Sequence, residues 1–241
     1  MLDVWSPITH ILAVNGFSLN DNACRLLSTY EKLLREWNGR VNLVSRRDEE
    51  NIGVNHILHS LSILLVVDVR RGANVLDLGT GGGLPGIPLA IARPDLDIVL
   101  LDSIGKKIRA VDDIVAKLGI RNVRTRCSRA EDMKNESGFA GAFDVIVSRG
   151  VASLSDLIRW SRPLARKRSS EGSPVVAARP GPRSFPEPYL LCLKGGDLDS
   201  EIAQAGRKVR VKDAAVLDIV FSHGQAPDLE GKKLVVVPIL N

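Results

Sequence analysis

A chain of 241 residues, 44% of them apolar and 25% charged, is long enough to bury one sizeable core, and this composition excludes a disordered or fibrous protein. Its longest apolar runs, Ile57 to Val67 and Val235 to Leu240, are too short or too polar for a bilayer span, which takes about 20 apolar residues. The formal net charge of +5 suits a polyanionic partner such as RNA, although a solvated basic face explains charge alone equally well. The opening MLDVWSPITH lacks the basic-then-apolar order of an export signal. Cys24, Cys127 and Cys192 are scattered without metal-ligand spacing, so a cytoplasmic protein with no disulfide and no metal site is expected. A monomer is the default.

From about residue 20 to 70 the pattern is helical. Leu26, Tyr30, Leu33, Leu34 and Trp37 recur at helical spacing, and Ile57, Leu61, Leu64 and Leu65 do so again. Residues 1–70 are therefore expected to form an N-terminal helical cap. From Ala73 onward short β-branched runs alternate with helical ones, the pattern of a parallel sheet with crossover helices. Strands are expected at Asn74 to Leu78, Asp97 to Asp102, Val123 to Cys127, Asp144 to Ser148, Leu190 to Lys194, Val216 to Phe221 and Lys233 to Ile239. A helix opens at Leu84 and Pro85, and a second carries Ile108, Val111, Val115 and Leu118 up to Gly119. Ser153 followed by Asp156 resembles the start of a third. Between the last two strands lies only SHGQAPDLEGK, with no helical pattern, so they should pair antiparallel. The expected fold is α/β and Rossmann-like over residues 71–241 with a seven-stranded mixed sheet, whose antiparallel ending favours a methyltransferase sheet over a plain dinucleotide fold. Residues 167–188, KRSSEGSPVVAARPGPRSFPEP, lack periodicity and suggest a flexible surface insertion.

The chemistry concentrates in VLDLGTGGGLPGIPLA, Val75 to Ala90. A strand ends at Asp77 and Leu78, then Gly79, Gly81 and Gly83 alternate before a helix, which lets the backbone turn tightly against a ligand. Two cofactor classes compete, because Gly81, Gly83 and Gly86 also satisfy the dinucleotide spacing. A dinucleotide puts its pyrophosphate on the helix amino terminus, whereas S-adenosyl-L-methionine has no phosphate and wants acidic groups around its nucleoside. Asp102, at the end of the second strand, suits the ribose of either. Ala130, Glu131 and Asp132, after the third strand, tip the reading toward the methyl donor, with a solvated helix start as the plain alternative. Ser148 and Arg149 follow the fourth strand where enzymes of this class face the methyl-transfer centre. Arg149 suits the donor's carboxylate or RNA, or is a plain surface arginine. No acid–base or cysteine motif stands there, so no catalytic side chain is assigned. That absence is consistent with attack by a lone pair such as that of guanine N7.

Five blocks in order, LDLGTGGGLPGIPLAIARPD, LLDSIGKKIRAV, SRAED, FDVIVSRGVASL and CLKGG, resemble the bacterial RsmG family, also called glucose-inhibited division protein B. The likeness runs from Trp37 through Gly195. It implies methylation of guanine N7 in small-subunit (16S) ribosomal RNA, as naked RNA or in the 30S particle. By position it implies that Gly79 and Leu84 line the donor site, Asp102 holds the ribose, Ala130 and Glu131 hold the adenine side, and Arg149 closes the site. Arg129 and Lys194 match basic family positions that would meet RNA, with an ordinary surface arginine or lysine as the alternative for each. The family usually has Asp where this chain has His59, and often Pro at Gly82. A nicotinamide-dependent oxidoreductase and a non-catalytic RNA-binding protein of the same fold are the competing functions.

Overall fold

The computed structural model describes residues 5–167, 181–196, 198–209, 211, 213–221 and 226–239. Seven strands form one sheet: β1 (Asn74–Leu78), β2 (Asp97–Asp102), β3 (Val123–Cys127), β4 (Val145–Arg149), β5 (Tyr189–Lys194), β6 (Ala215–Asp218) and β7 (Lys233–Pro238). Their order is β3-β2-β1-β4-β5-β7-β6. All are parallel except β7, which runs antiparallel to both its neighbours. The order reverses outward from β1 and β4, which leaves a crevice at the carboxyl ends of the central strands.

Alternation along each strand sorts side chains onto two faces. Val75, Ile98, Leu100, Val145, Val147 and Leu191 pack with α1 (Trp5–Val14), α2 (Asp21–Asn38) and, beyond the cap, α5 (Gly86–Ala92) and α6 (Gly105–Leu118). Between α2 and β1 the chain forms a 3-10 turn, Arg46–Asn51, a π-helical segment, Gly53–Leu58, and the short helices α3 (His59–Leu61) and α4 (Ile63–Val66). Leu76, Leu78, Val99, Leu101, Ile146 and Leu190 face the other way, against α7 (Ala130–Met133), α8 (Leu154–Ser161) and α9 (Leu198–Lys208). Burial on both faces explains why the central strands are nearly continuous apolar runs.

Local signals set the helix ends. The Asn20 side chain accepts from the Ala23 amide at 2.8 Å to start α2, and Ser153 accepts from the Asp156 amide at 3.3 Å to start α8. The cap is fastened by Trp37, whose indole N–H donates to Asp113 of α6 at 2.7 Å. The Asn38 side chain accepts from the amides of Leu43 and Val44 at 2.8 and 2.9 Å.

The seven strands lie where the sequence places them, with shifts at the ends: β4 extends through Arg149, and β6 covers Ala215–Asp218 rather than Val216 to Phe221. Of the stretch 167–188, residues 168–180 lie outside the described residues. The described end of it rests on the cap. Arg183 donates its amide to the Val66 carbonyl and accepts from the Asp68 amide, both at 2.9 Å, and Glu187 pairs with Arg70 at 2.9 Å.

Candidate active site

A cleft of about 1130 Å³ opens at the carboxyl ends of the central strands. Its floor is the turn between β1 and α5. The amides of Gly79 and Thr80 both donate to the Leu101 carbonyl at 2.8 Å, stitching the turn to the end of β2. From the cap side the Tyr30 hydroxyl donates to the Gly82 carbonyl at 2.9 Å. Beneath lies Asp77, fully buried, whose Oδ2 accepts from Thr80 Oγ1 at 2.6 Å and from the Gly86 amide at 2.8 Å. Its Oδ1 has no partner among the described residues. Burial therefore outweighs those two bonds and pushes the Asp77 carboxyl up to about 7.

Two glycines are required by geometry. Gly79 has φ +77°, and a Cβ built on it would stand 2.4 Å from Val151 Cγ2. A Cβ on Gly86 would meet Leu100 Cδ2 at 2.2 Å and Asp77 Oδ2 at 2.7 Å. The turn is therefore clamped from below by Asp77 and covered from above by Val151.

Asp102 ends β2 with only 7% of its surface exposed. Its Oδ2 accepts from the Gly81 amide at 3.0 Å and its Oδ1 from the Ile104 amide at 2.9 Å. Each oxygen keeps one lone pair for a further donor. Ser103, Ile104, Ser128, Ala130 and Glu131 continue this wall; Ala130 is buried, whereas Glu131 and Arg129 are exposed at the rim.

Arg149 is half-buried at the end of β4. Its Nη1 donates to His56 Nδ1 at 2.8 Å and to the Asn55 carbonyl at 3.4 Å, and it makes no salt bridge among the described residues. An arginine only donates, so His56 Nδ1 must accept and the proton sits on Nε2. Burial, reinforced by the Arg149 charge, lowers His56 to about 4 and His59 to about 3, so both rings are neutral at pH 7. Neither Nε2 has a hydrogen-bond partner among the described residues; Asp48 Oδ2 lies 3.7 Å from that of His56. Both rings line the cleft, presented by the π-helical segment and α3.

The far wall holds Trp160, Leu193, Lys194, Glu201 and Lys232. Lys194 Nζ is bound to Glu201 Oε1 at 2.7 Å and to the Ala152 carbonyl at 3.1 Å.

Against known families, the model described as rRNA small subunit methyltransferase G (GidB) matches residues 23–171. The chain belongs to that family. Its rRNA small subunit methyltransferase G relatives include one from Chlorobium luteolum, 41% identical over 82% of this chain and 73% of its own length. Another, from Chlorobium phaeobacteroides, is 39% identical over 90% of each chain, and one from Clostridium novyi is 32% identical over 99% of this chain and 90% of its own. A crystal structure of Atu636 from Agrobacterium tumefaciens, described as a predicted O-methyltransferase, is similar in fold, with TM-score 0.51 and 16% identity over 74% of this chain and 79% of that one.

The eight residues that the family resemblance assigns to the site, Gly79, Leu84, Asp102, Arg129, Ala130, Glu131, Arg149 and Lys194, line this cleft; Asp132 does not, and Ser148 is buried with its hydroxyl donating to the Leu78 carbonyl. Every one but Lys194 falls inside the segment that the rRNA small subunit methyltransferase G model covers. Several arginines that contribute to the net positive charge are paired with acids. Arg124 pairs with Asp97, Arg126 with Glu136, Arg159 with Asp156 and Arg166 with Asp144. Sequence reasoning missed the supporting groups: Asp77 with Thr80, Val151, Trp160, Glu201 and Lys232. The three-residue spacing of Asp77 and Thr80 at a strand end was a usable signal; Glu201, in a helix with few apolar residues, offered none.

Proposed function

We propose that this chain transfers a methyl group from S-adenosyl-L-methionine to N7 of a guanine in small-subunit ribosomal RNA, in the cytoplasm. The names of its family and relatives support the reaction class and the RNA. The observation that carries the cofactor is the floor of the cleft: a glycine turn that is open at Gly81, between the Asp102 carboxylate and an Arg149 guanidinium that makes no salt bridge among the described residues.

The residues fit the methyl donor. Asp102, locked by two backbone amides, keeps lone pairs for the ribose hydroxyls; Ala130 and Glu131 suit the adenine side; Arg149, a half-buried cation with no salt bridge among the described residues, suits the methionine carboxylate. When bound, S-adenosylmethionine supplies an electrophilic sulfonium methyl. Guanine N7 has a free lone pair and needs no base, so the chain's task is to hold, orient and exclude water. The His56 and His59 rings are neutral at pH 7 and add no charge beside Arg149.

The dinucleotide alternative is disfavoured by Asp77. A pyrophosphate needs the free N–H groups of the helix after the glycine turn, but the Gly86 amide already donates to the Asp77 carboxyl.

The test is incubation with methyl-labelled donor and either deproteinised small-subunit RNA, 30S particles or 70S ribosomes, followed by mapping of the modified base. Label on one guanine N7 is expected. Label only on other atoms or molecules, or tight NAD(H) binding without donor binding, overturns the proposal.

A further inference from the structure

Lys194 is, with Arg129, one of two basic residues that the family resemblance assigns to RNA, yet its ammonium is engaged inside the protein. Its side chain is 15% exposed and it makes a 2.7 Å ion pair with Glu201 Oε1 from α9. The same nitrogen donates to the Ala152 carbonyl at 3.1 Å. The same Glu201 oxygen accepts from the Leu154 amide, the first N–H of α8, at 2.8 Å. One ion pair thus holds the segment after β4 at two points, Ala152 and Leu154. Between Arg149 and those points sits Val151, 39% exposed, whose methyls lie so close over Gly79 that no Cβ fits there.

We infer that the Lys194–Glu201 pair is a clamp that seats the Arg149–Leu154 segment on the glycine turn, so that Lys194 acts as a positioning residue for the methyl-donor site and not as a phosphate contact. The inference rests on the donor site proposed above. Its physical basis is the number of N–H donors: an ammonium has three, and two are spent on Glu201 and Ala152. Glu201 cancels the charge that a phosphate would seek. The pair ties the start of α8 to β5 and α9 through side-chain contacts outside the sheet ladder, so losing it frees the segment without unfolding the sheet.

The two roles predict opposite results for Glu201. Were Lys194 an RNA contact, Glu201→Gln would release the ammonium and strengthen RNA binding; with a clamp, it weakens the donor and leaves RNA alone. Calorimetry with S-adenosylmethionine and S-adenosylhomocysteine is paired with RNA binding measured over a salt series, on the wild type and on Glu201→Gln, Lys194→Met and Lys194→Arg. We expect donor affinity to fall about tenfold in Glu201→Gln and in Lys194→Met, the scale of one charge-assisted hydrogen bond. Lys194→Arg should recover part of it. The salt slope of RNA binding should be unchanged in Lys194→Met, whereas loss of a phosphate contact lowers it by about 0.7–0.9. Thermal unfolding checks folding, and if Lys194→Met fails to fold, Glu201→Gln, which keeps size and a hydrogen-bond acceptor, carries the test. Wild-type donor affinity with both variants equal to it, or a lowered salt slope in Lys194→Met, overturns the clamp alone. A wild type that binds no donor overturns the site beneath it.

Discussion

Substituting Gly79 by Ala tests the packing of the glycine turn in two separable parts. At φ +77° a residue with a Cβ is in the left-handed region, which costs about 1–2 kcal/mol. The new Cβ would also stand 2.4 Å from Val151 Cγ2 and 2.7 Å from Cγ1, well inside contact distance, so the Val151 side chain must be displaced. Overpacking of this kind costs about 1–3 kcal/mol. The expected loss is therefore about 2–5 kcal/mol, measured by urea unfolding, large but within the total stability of a domain. Removing the obstacle separates the terms. In the Val151→Ala background the nearest remaining atom of that residue is Val151 Cβ at 3.1 Å, so most of the overlap term vanishes and the backbone term stays. The double-mutant cycle should show a favourable coupling of at least about 1 kcal/mol. Additive effects, or no loss in Gly79→Ala alone, would mean that Val151 does not rest on the turn.

Other consequences are equally direct. Asp77 titrates near 7 in the folded protein against 3.8 unfolded, so its contribution to stability is complete below about pH 4 and is lost as pH rises through 7. Between pH 5 and 8 the wild type should lose about 3 kcal/mol relative to Asp77→Asn, whose carbonyl oxygen can keep both the Thr80 and Gly86 bonds; parallel pH curves for the two proteins would refute this. Asp102→Asn puts an NH₂ against either the Gly81 or the Ile104 amide, which both donate, so a stability loss of about 1–3 kcal/mol and weaker donor binding should appear together in unfolding and calorimetric titrations. Arg149→Met removes a charge that depresses both buried histidines, and NMR titration should find the His56 and His59 pKa values raised, though still below normal because burial is the larger cause.

The sheet was legible because burial on both faces demands unbroken apolar runs such as Ile98 to Leu101, and because Gly119 and Ser153 end and begin helices by local chemistry. The cap was legible as helix from the stripe containing Tyr30 and Leu34. What escaped was whatever depended on distant contacts. The helix α9 carries an apolar stripe, Leu198, Ile202 and Ala205, which the pattern of strands and turns around it left unread, and Glu201 on it looks like any solvated acid until Lys194 is beside it. The π-helical turn at Gly53–Leu58 has no sequence signature, yet it helps bring His56 into the cleft beside Arg149. Glycines and strand-end acids marked the floor of the site because backbone geometry restricts which residues fit there. The far wall, with Trp160 and Lys232, is made by residues that many folds would tolerate on a surface.

The most direct test of the account is a crystal structure of the protein with S-adenosylhomocysteine. The nucleoside should lie over Gly79 and Gly81, with its ribose hydroxyls on Asp102 and its carboxylate on Arg149. A nucleoside bound elsewhere, or one that leaves both Asp102 and Arg149 out of contact, would contradict it.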